Sequence, residues 1–264
     1  MNIEQKGSGE AIIFIHGVVG NQQAFKYQFE SLSNDYHVIK YDLLGHGTDR
    51  GENIVLSIDT LTEQLKEIYH TVGITKAHLC SLSFGNFIAG AFAFRYPDMV
   101  SSLACVGGYL AEPKTDLFQA FQRNQETFYN LDFKDWIGQY ANSVIPRLLT
   151  VDEGPEKFIE YGVTMNPDVM KQIVDLFFSY PFEQELPLIE APYFWFMGEF
   201  DQIHLDTLIT LKEKVQLLTL VIASNAGHLA YRHAPNLFED QYRQFLSLHS
   251  STGLYLANIK KRQK

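Results

Sequence analysis

The stretch Ala77-His78-Leu79-Cys80-Ser81-Leu82-Ser83-Phe84-Gly85-Asn86 changes character in its middle. Ala77 to Leu82 is a short apolar run of the kind that forms a buried strand, and Phe84 to Arg95 is a run of small and apolar residues that suits a helix. Ser83 lies on the seam. One reading makes it an ordinary N-cap of the helix that follows. The other places it on a sharp strand-to-helix turn, in a strained backbone conformation that exposes the hydroxyl above the sheet while the next N–H groups point at the space in front of it. That second reading needs very small residues two before and two after the serine, because strand and helix nearly touch there. Gly85 meets the second requirement and Ser81 the first, so the segment reads S-x-S-x-G.

Working outward, other strand-like runs end in polar or glycine-rich loops. Ala11 to Ile15 ends in His16-Gly17-Val18-Val19-Gly20, and Tyr36 to Tyr41 is closed by Asp42-Leu43-Leu44-Gly45-His46-Gly47. After the seam, Ser102 to Val106 leads to Gly107-Gly108, and regular strand signals then stop. They return at Pro192 to Met197, followed by Gly198-Glu199-Phe200-Asp201. A last strand, Leu217 to Ile222, precedes Asn225-Ala226-Gly227-His228, and Ala234 to Leu248 forms a closing helix. Further helices are expected over Gln22 to Leu32, Ser57 to Val72 and Leu205 to Lys214. Strand alternating with helix predicts a mostly parallel central sheet with helices on both faces.

In this order the segments resemble the α/β-hydrolase superfamily in its lid-bearing, serine esterase-like branch, over Glu10 to about Ser247. His16-Gly17-Val18-Val19-Gly20 is similar to the family's H-G-x-x-G oxyanion loop. Asp42 to Gly47 is similar to its structural D-x-x-G-x-G turn, and Ser81 to Gly85 to its nucleophile elbow. Gly198 to Asp201 looks like the G-x-x-D loop, and Gly227-His228 falls where the family places its histidine. The resemblance implies Ser83 as nucleophile, His228 as base, Asp201 as the orienting acid, and the N–H groups of Val18 and Phe84 as oxyanion donors. Donors of that kind are worth about 2.7 to 4 kcal/mol each in comparable sites. It also implies a hydrolase core over residues 1–110 and 190–250, a helical lid over 111–189 and a C-terminal tail over 251–264. Family members usually carry an extra N-terminal hairpin, so with Met1 to Glu10 in front of the first core strand, one edge strand is expected to be absent or very short.

Neighbouring residues compete for several of these roles. His204 and His233 are rivals of His228, and Glu199 is a rival of Asp201; the glycine before His228 and the G-x-x-D spacing favour the assignments above. His16 and His46 are expected to flank loops rather than each other and to make structural hydrogen bonds. Cys80 and Cys105, the chain's two cysteines, fall in adjacent core strands and read as buried, reduced thiols. No metal-ligand spacing and no phosphate cradle stands out, and no cofactor is expected.

The 264 residues, 46% of them hydrophobic, suit one domain with an inserted cap better than two small domains. A formal net charge of −10 argues against nucleic acid as a partner. No stretch is long and apolar enough to cross a membrane, and Met1 to Lys6 does not read as a signal peptide, so a cytoplasmic location and a small-molecule partner are expected. The lid is dense in aromatics: Phe118, Phe121, Phe128, Tyr129, Phe133, Trp136, Tyr140, Phe158, Tyr161, Phe177, Phe178 and Tyr180. Many would pack the lid itself, yet together they imply an apolar pocket. With no inward Arg cluster in the lid, the expected substrate is a largely apolar ester or lactone. Thioester hydrolysis, C–C bond hydrolysis and a slowly turning small-molecule receptor remain as alternatives.

Overall fold

The structure, a computed structural model, describes residues 2–49, 53–108, 130–144, 155–201 and 204–250. Seven strands form one sheet: β1 (Ile3–Lys6), β2 (Ala11–Ile15), β3 (His37–Tyr41), β4 (Ala77–Leu82), β5 (Val100–Val106), β6 (Tyr193–Gly198) and β7 (Leu218–Ala223). Their spatial order is β1-β3-β2-β4-β5-β6-β7, parallel throughout except that β1 runs antiparallel to β3. The edge strand before β2 is thus present, at four residues. β2, β4 and β6 are buried along their whole length, as strands covered on both faces must be.

The helices are α1 (Lys26–Leu32), α2 (Ile58–Val72), α3 (Gly85–Arg95), α4 (Phe133–Val144), α5 (Pro155–Gly162), α6 (Pro167–Ser179), α7 (Phe182–Glu185), α8 (His204–Lys214), α9 (Ala230–His233) and α10 (Pro235–His249). Local chemistry sets the ends of α2. Ser57 and Thr60 form a reciprocal capping box at its start, and Gly73 closes it in the left-handed conformation at φ +73°. The helix expected from Gln22 divides into a 3-10 turn over Gln22–Phe25 followed by α1, with Asn21 capping the turn.

Each face of the sheet carries its own core. On one, Phe29 and Leu32 of α1 join Phe238, Tyr242 and Phe245 of α10 around Phe194 and Phe196; the Phe194 ring lies 5.4 to 6.2 Å from those of Phe238, Tyr242 and Phe245. On the other, Leu61, Leu65 and Ile68 of α2 and Ile88 and Phe92 of α3 pack on Ile13, Leu79 and Leu103. Burying a large apolar side chain stabilises the fold by roughly 1.5 to 3 kcal/mol. Cys80 and Cys105 are buried free thiols, one in each core, and burial pushes both thiol pKa values up.

The segment between β5 and β6 holds α4 to α7. Val169 and Ile173 of α6 and Trp136 of α4 enter the second core. Main-chain and side-chain bonds tie α6 down: the N–H of Asn166 donates to the Gly45 carbonyl (3.0 Å), and Gln172 accepts from the N–H of Leu56 (2.6 Å) while donating to the Ile54 carbonyl (2.9 Å). Of the expected lid aromatics, Phe118, Phe121, Phe128 and Tyr129 lie outside the described residues, as do the side chains of Tyr140, Phe177 and Phe178. Residues 251–264 lie outside them too.

The chain leaves β2 toward β3 on one side and later enters β4 on the other, so the strand order reverses between β2 and β4. In open parallel sheets the crevice at the carboxyl ends of such strands is where ligands bind. The loop after β2 and the turn after β4 carry His16 to Gly20 and Ser83.

Three buried histidines, His16, His46 and His78, have pKa values below the usual 6.5, in each case mainly through desolvation, and His46 is brought down to about 3. The native state keeps His46 neutral where the unfolded chain titrates, so its stability contribution is full above pH 6.5 and is lost as pH falls toward 3. The loss runs at up to about 1.4 kcal/mol per pH unit for such a group. The expected outcome is a melting temperature that is flat from pH 8 to 7 and declines below 6.5, with a shallower decline in His46→Gln. A constant melting temperature between pH 7 and 5 would contradict the argument.

Candidate active site

Ser83 has φ +53°, in the left-handed region, whereas an N-cap residue is extended. That decides between the two readings of the seam in favour of the strained turn. Its N–H donates to the Val106 carbonyl at the end of β5 (2.9 Å), and its carbonyl accepts from Asn86 in the first turn of α3 (2.9 Å). Glycine at position 85 is a steric requirement: a Cβ there would sit 2.6 Å from the Ile15 carbonyl oxygen and 2.8 Å from that of His16. The helix start is thereby pressed against the end of β2.

Ser81, which stands where the elbow pattern has glycine, is fully buried, and its hydroxyl donates to the Ala104 carbonyl (2.9 Å). A buried hydroxyl with a partner costs little.

The loop after β2 lies directly against Ser83, since a Cβ on Gly17 would be 3.1 Å from Ser83 Cβ. Val18 and Phe84 are both buried here. Val19 takes φ +62°, an expensive conformation for a β-branched residue. Of the non-glycine residues with positive φ among those described, Val19, Ser83 and Asn225 all lie on the loops of this site, and Asn53 does not. Such strain gathers where geometry is imposed by function.

His16 holds the loop. Its Nε2 accepts the N–H of Leu43 (3.0 Å), so the ring proton is on Nδ1, which donates to the Gly17 carbonyl (2.8 Å). The expectation that His16 and His46 flank loops rather than each other is corrected: their ring centroids are 5.0 Å apart, because the loops after β2 and β3 leave neighbouring parallel strands at the same end. Asp42, whose carboxylate accepts from Gln22 N (2.8 Å), Thr48 N (3.0 Å) and Thr48 Oγ1 (2.9 Å), fixes the adjoining turn.

Asp201 and His228 come from the ends of β6 and β7. His228 Nδ1 donates to Asp201 Oδ2 (3.1 Å), and both side chains are at least 92% buried. Gly107, at the end of β5, leaves room for the histidine: a Cβ there would be 2.5 Å from the His228 carbonyl oxygen and 3.0 Å from its Nδ1. Ser83 bonds to Val106 and His228 packs on Gly107, so consecutive residues of one strand end bring the two together. Glu199 is exposed and accepts the N–H of Asn225 (3.0 Å) instead of reaching His228, and His233 Nδ1 accepts the N–H of Gly227 (3.2 Å). The side chain of His204 lies outside the described residues.

A cleft opens beside these groups. Its lining includes Gly17, Val18, Leu82 and Leu229, Phe158 and Tyr161 of α5, and Tyr231 and Arg232. The Arg232 guanidinium is held by bonds to the Ala24 carbonyl (3.1 Å) and to Tyr231 Oη (3.0 Å). The sequence points to the lid for cations and does not single out this arginine, which arrives from the segment just after His228. Among the described residues, no cluster of His, Cys, Asp and Glu could hold a metal ion, and no helix is long and apolar enough to cross a membrane.

The fold and the site at the strand ends define an α/β-hydrolase type of protein. A family model described as alpha/beta hydrolase fold matches residues 10–235, and the chain belongs to that family. Over 92% of its length it is 23% identical to epoxide hydrolase 1 of Caenorhabditis elegans, covering 67% of that protein. A 104-residue match at 30% identity, 39% of this chain, relates it to (E)-2-((N-methylformamido)methylene)succinate hydrolase of Acinetobacter baylyi, of which it spans only 40%. Among solved structures it is similar to a thermophilic esterase from Thermogutta terrifontis, with TM-score 0.82 and 21% identity over 94% of both chains. Membership supports an enzyme of the hydrolase class.

The packing makes opposite forecasts for two neighbouring small residues. Ser81→Gly is expected to keep the fold and shift stability by about 1 kcal/mol, the worth of one hydrogen bond. Gly85→Val should fail to fold or lose several kcal/mol through overpacking against β2. Thermal melts of the two variants check this; equal effects would mean that the elbow's tight side is misassigned.

Proposed function

We propose that the chain is a serine hydrolase that cleaves an ester-like bond, a carboxylic ester or lactone of a small and largely apolar substrate, through an acyl-enzyme. The observation that carries the reading is Ser83 in the left-handed conformation at the switch point, with the buried His228–Asp201 pair on adjoining strand ends. Serine at the nucleophile position disfavours the alkyl-carboxylate chemistry of epoxide hydrolases, despite the likeness to one.

In the mechanism, His228 Nε2 takes the proton of Ser83 Oγ as that oxygen attacks the carbonyl carbon. Asp201 holds the imidazole in its Nδ1–H tautomer and stabilises the imidazolium. The N–H groups of Val18 and Phe84 receive the developing oxyanion; the tight loop at Gly17 and the helix start after Ser83 aim at that space. His228 then protonates the leaving group, and in the second half activates water against the acyl-enzyme. The helices between β5 and β6 act as a lid, with Phe158 and Tyr161 shaping an apolar slot. One observation favours a variant of this reading. Arg232 in the cleft wall would suit a substrate that carries a carboxylate away from the reacting carbonyl, and the relative from Acinetobacter is named for such a compound.

Hydrolysis of p-nitrophenyl esters from acetyl to decanoyl tests the proposal, with a monoester of a dicarboxylic acid as a further substrate. The wild type is expected to turn over with a peak at one chain length. Ser83→Ala should lose at least about 10³-fold, and Asp201→Asn about 10⁴-fold because the histidine is left in the wrong tautomer. Glu199→Gln should stay far closer to wild type. Ester turnover that survives in Ser83→Ala would sink the reading; binding of ligand with no turnover by the wild type would move it to a receptor.

A further inference from the structure

Two side chains that the sequence offers as rivals of the acid and the base instead grip the main chain on which the base rides. Glu199 Oε2 accepts the N–H of Asn225, and His233 Nδ1 accepts the N–H of Gly227. Between them the Ala226 carbonyl accepts the N–H of Phe200 (2.8 Å), so three consecutive residues before His228 are each bonded to a group outside the loop. Asn225 sits at φ +55°, in the left-handed region that asparagine tolerates better than most residues. The short helix α9, which ends at His233, folds the chain back so that its last side chain returns to the loop it has just left.

The bond fixes the state of the ring. An imidazole nitrogen that accepts an N–H carries no proton, so His233 is neutral with its proton on Nε2. That Nε2 is buried with no hydrogen-bond partner among the described residues. An unsatisfied buried donor is a cost, and burial also lowers the pKa of this histidine. What the arrangement gains is one well-aimed acceptor at Gly227 N, the peptide immediately before the base.

We infer that His233, with Glu199, is a positioning residue: through the peptide groups of Gly227 and Asn225 it sets the direction of the His228 ring toward Ser83. This rests on the serine, histidine and aspartate reading proposed above. His233 itself takes no proton from the substrate. Small displacements of a catalytic group of this kind cost up to about 10²-fold in rate.

The test measures the rate at which a fluorophosphonate probe labels the serine, since no natural substrate is needed. In that reaction the Ser83 Oγ–P bond forms, the P–F bond breaks, fluoride leaves, and the hydroxyl proton passes to His228. With variants shown to be folded by circular dichroism, His233→Leu is expected to label about 10- to 100-fold more slowly than wild type. His233→Gln, whose amide oxygen can accept from Gly227, should recover most of the rate. Labelling of His233→Leu at the wild-type rate overturns the inference, and so does an equal loss in both variants. A wild type that is not labelled at all removes the serine-hydrolase reading before any variant is compared, so the two failures are distinguishable. Should His233→Leu not fold, the imidazole ¹⁵N spectrum of the wild type serves instead: an Nε2–H ring is expected, and an Nδ1–H ring overturns the assignment.

Discussion

The close approach of the α3 start to the end of β2 is the constraint on which the site depends. With no Cβ on Gly85, the first turn of the helix comes within van der Waals reach of the Ile15 and His16 carbonyls. Ser83, two residues before, stands at φ +53° on the turn that makes this approach. The same contact brings the loop after β2 beside the serine, so one packing event places both Ser83 and the loop beside it. A Cβ at position 85 would stand 2.6 Å from the Ile15 carbonyl oxygen, well inside van der Waals contact, so any side chain there would have to push the two elements apart. The strain at Ser83 and Val19 is held in place by two full cores, one on each face of the sheet.

Much of this was legible because parallel strands buried on both faces write themselves as uninterrupted apolar runs. β2 and β4 were readable to the residue from Ala11–Ile15 and Ala77–Leu82, and the glycine-bearing loops after them followed from the need for tight turns at strand ends. Boundaries drifted where the signal is soft. The stretch from Gln22 split into a 3-10 turn and a helix because Asn21 caps the first turn locally, a competition that hydrophobic period does not report. The four-residue β1 has its first residue partly covered and the rest exposed, so it offered no alternation to read, and only its pairing with β3 makes it a strand.

The site was harder to read wherever the third dimension supplies the partner. Nothing in the sequence says that His16 and His46 touch; that follows from the register of β2 on β3. Arg232 was invisible as a cleft residue because it sits within a run, Leu229 to His233, whose direction depends on a one-turn helix. Ser81 could be judged small enough for the elbow, but not that Ala104, one residue before its register partner Cys105, would offer its hydroxyl an acceptor.

Among the described residues, four histidines gather at this end of the sheet, and their partners divide the labour among them. His16 spans two loops as acceptor and donor, His46 donates to the Leu44 carbonyl, and His233 accepts from Gly227. Each of these rings bonds to main chain, His16 and His46 fully buried and His233 partly so, and the three have pKa values depressed chiefly by desolvation, so they serve as neutral connectors with fixed tautomers. His228 differs in one respect: its Nδ1 is on a carboxylate. A carboxylate stabilises the imidazolium that appears when a proton is taken, and a backbone carbonyl does so far less. The same side chain thus bonds to main chain at three positions and to a carboxylate at the fourth, the one for which proton transfer is proposed. The distinction lies in the partner each loop supplies rather than in the residue itself.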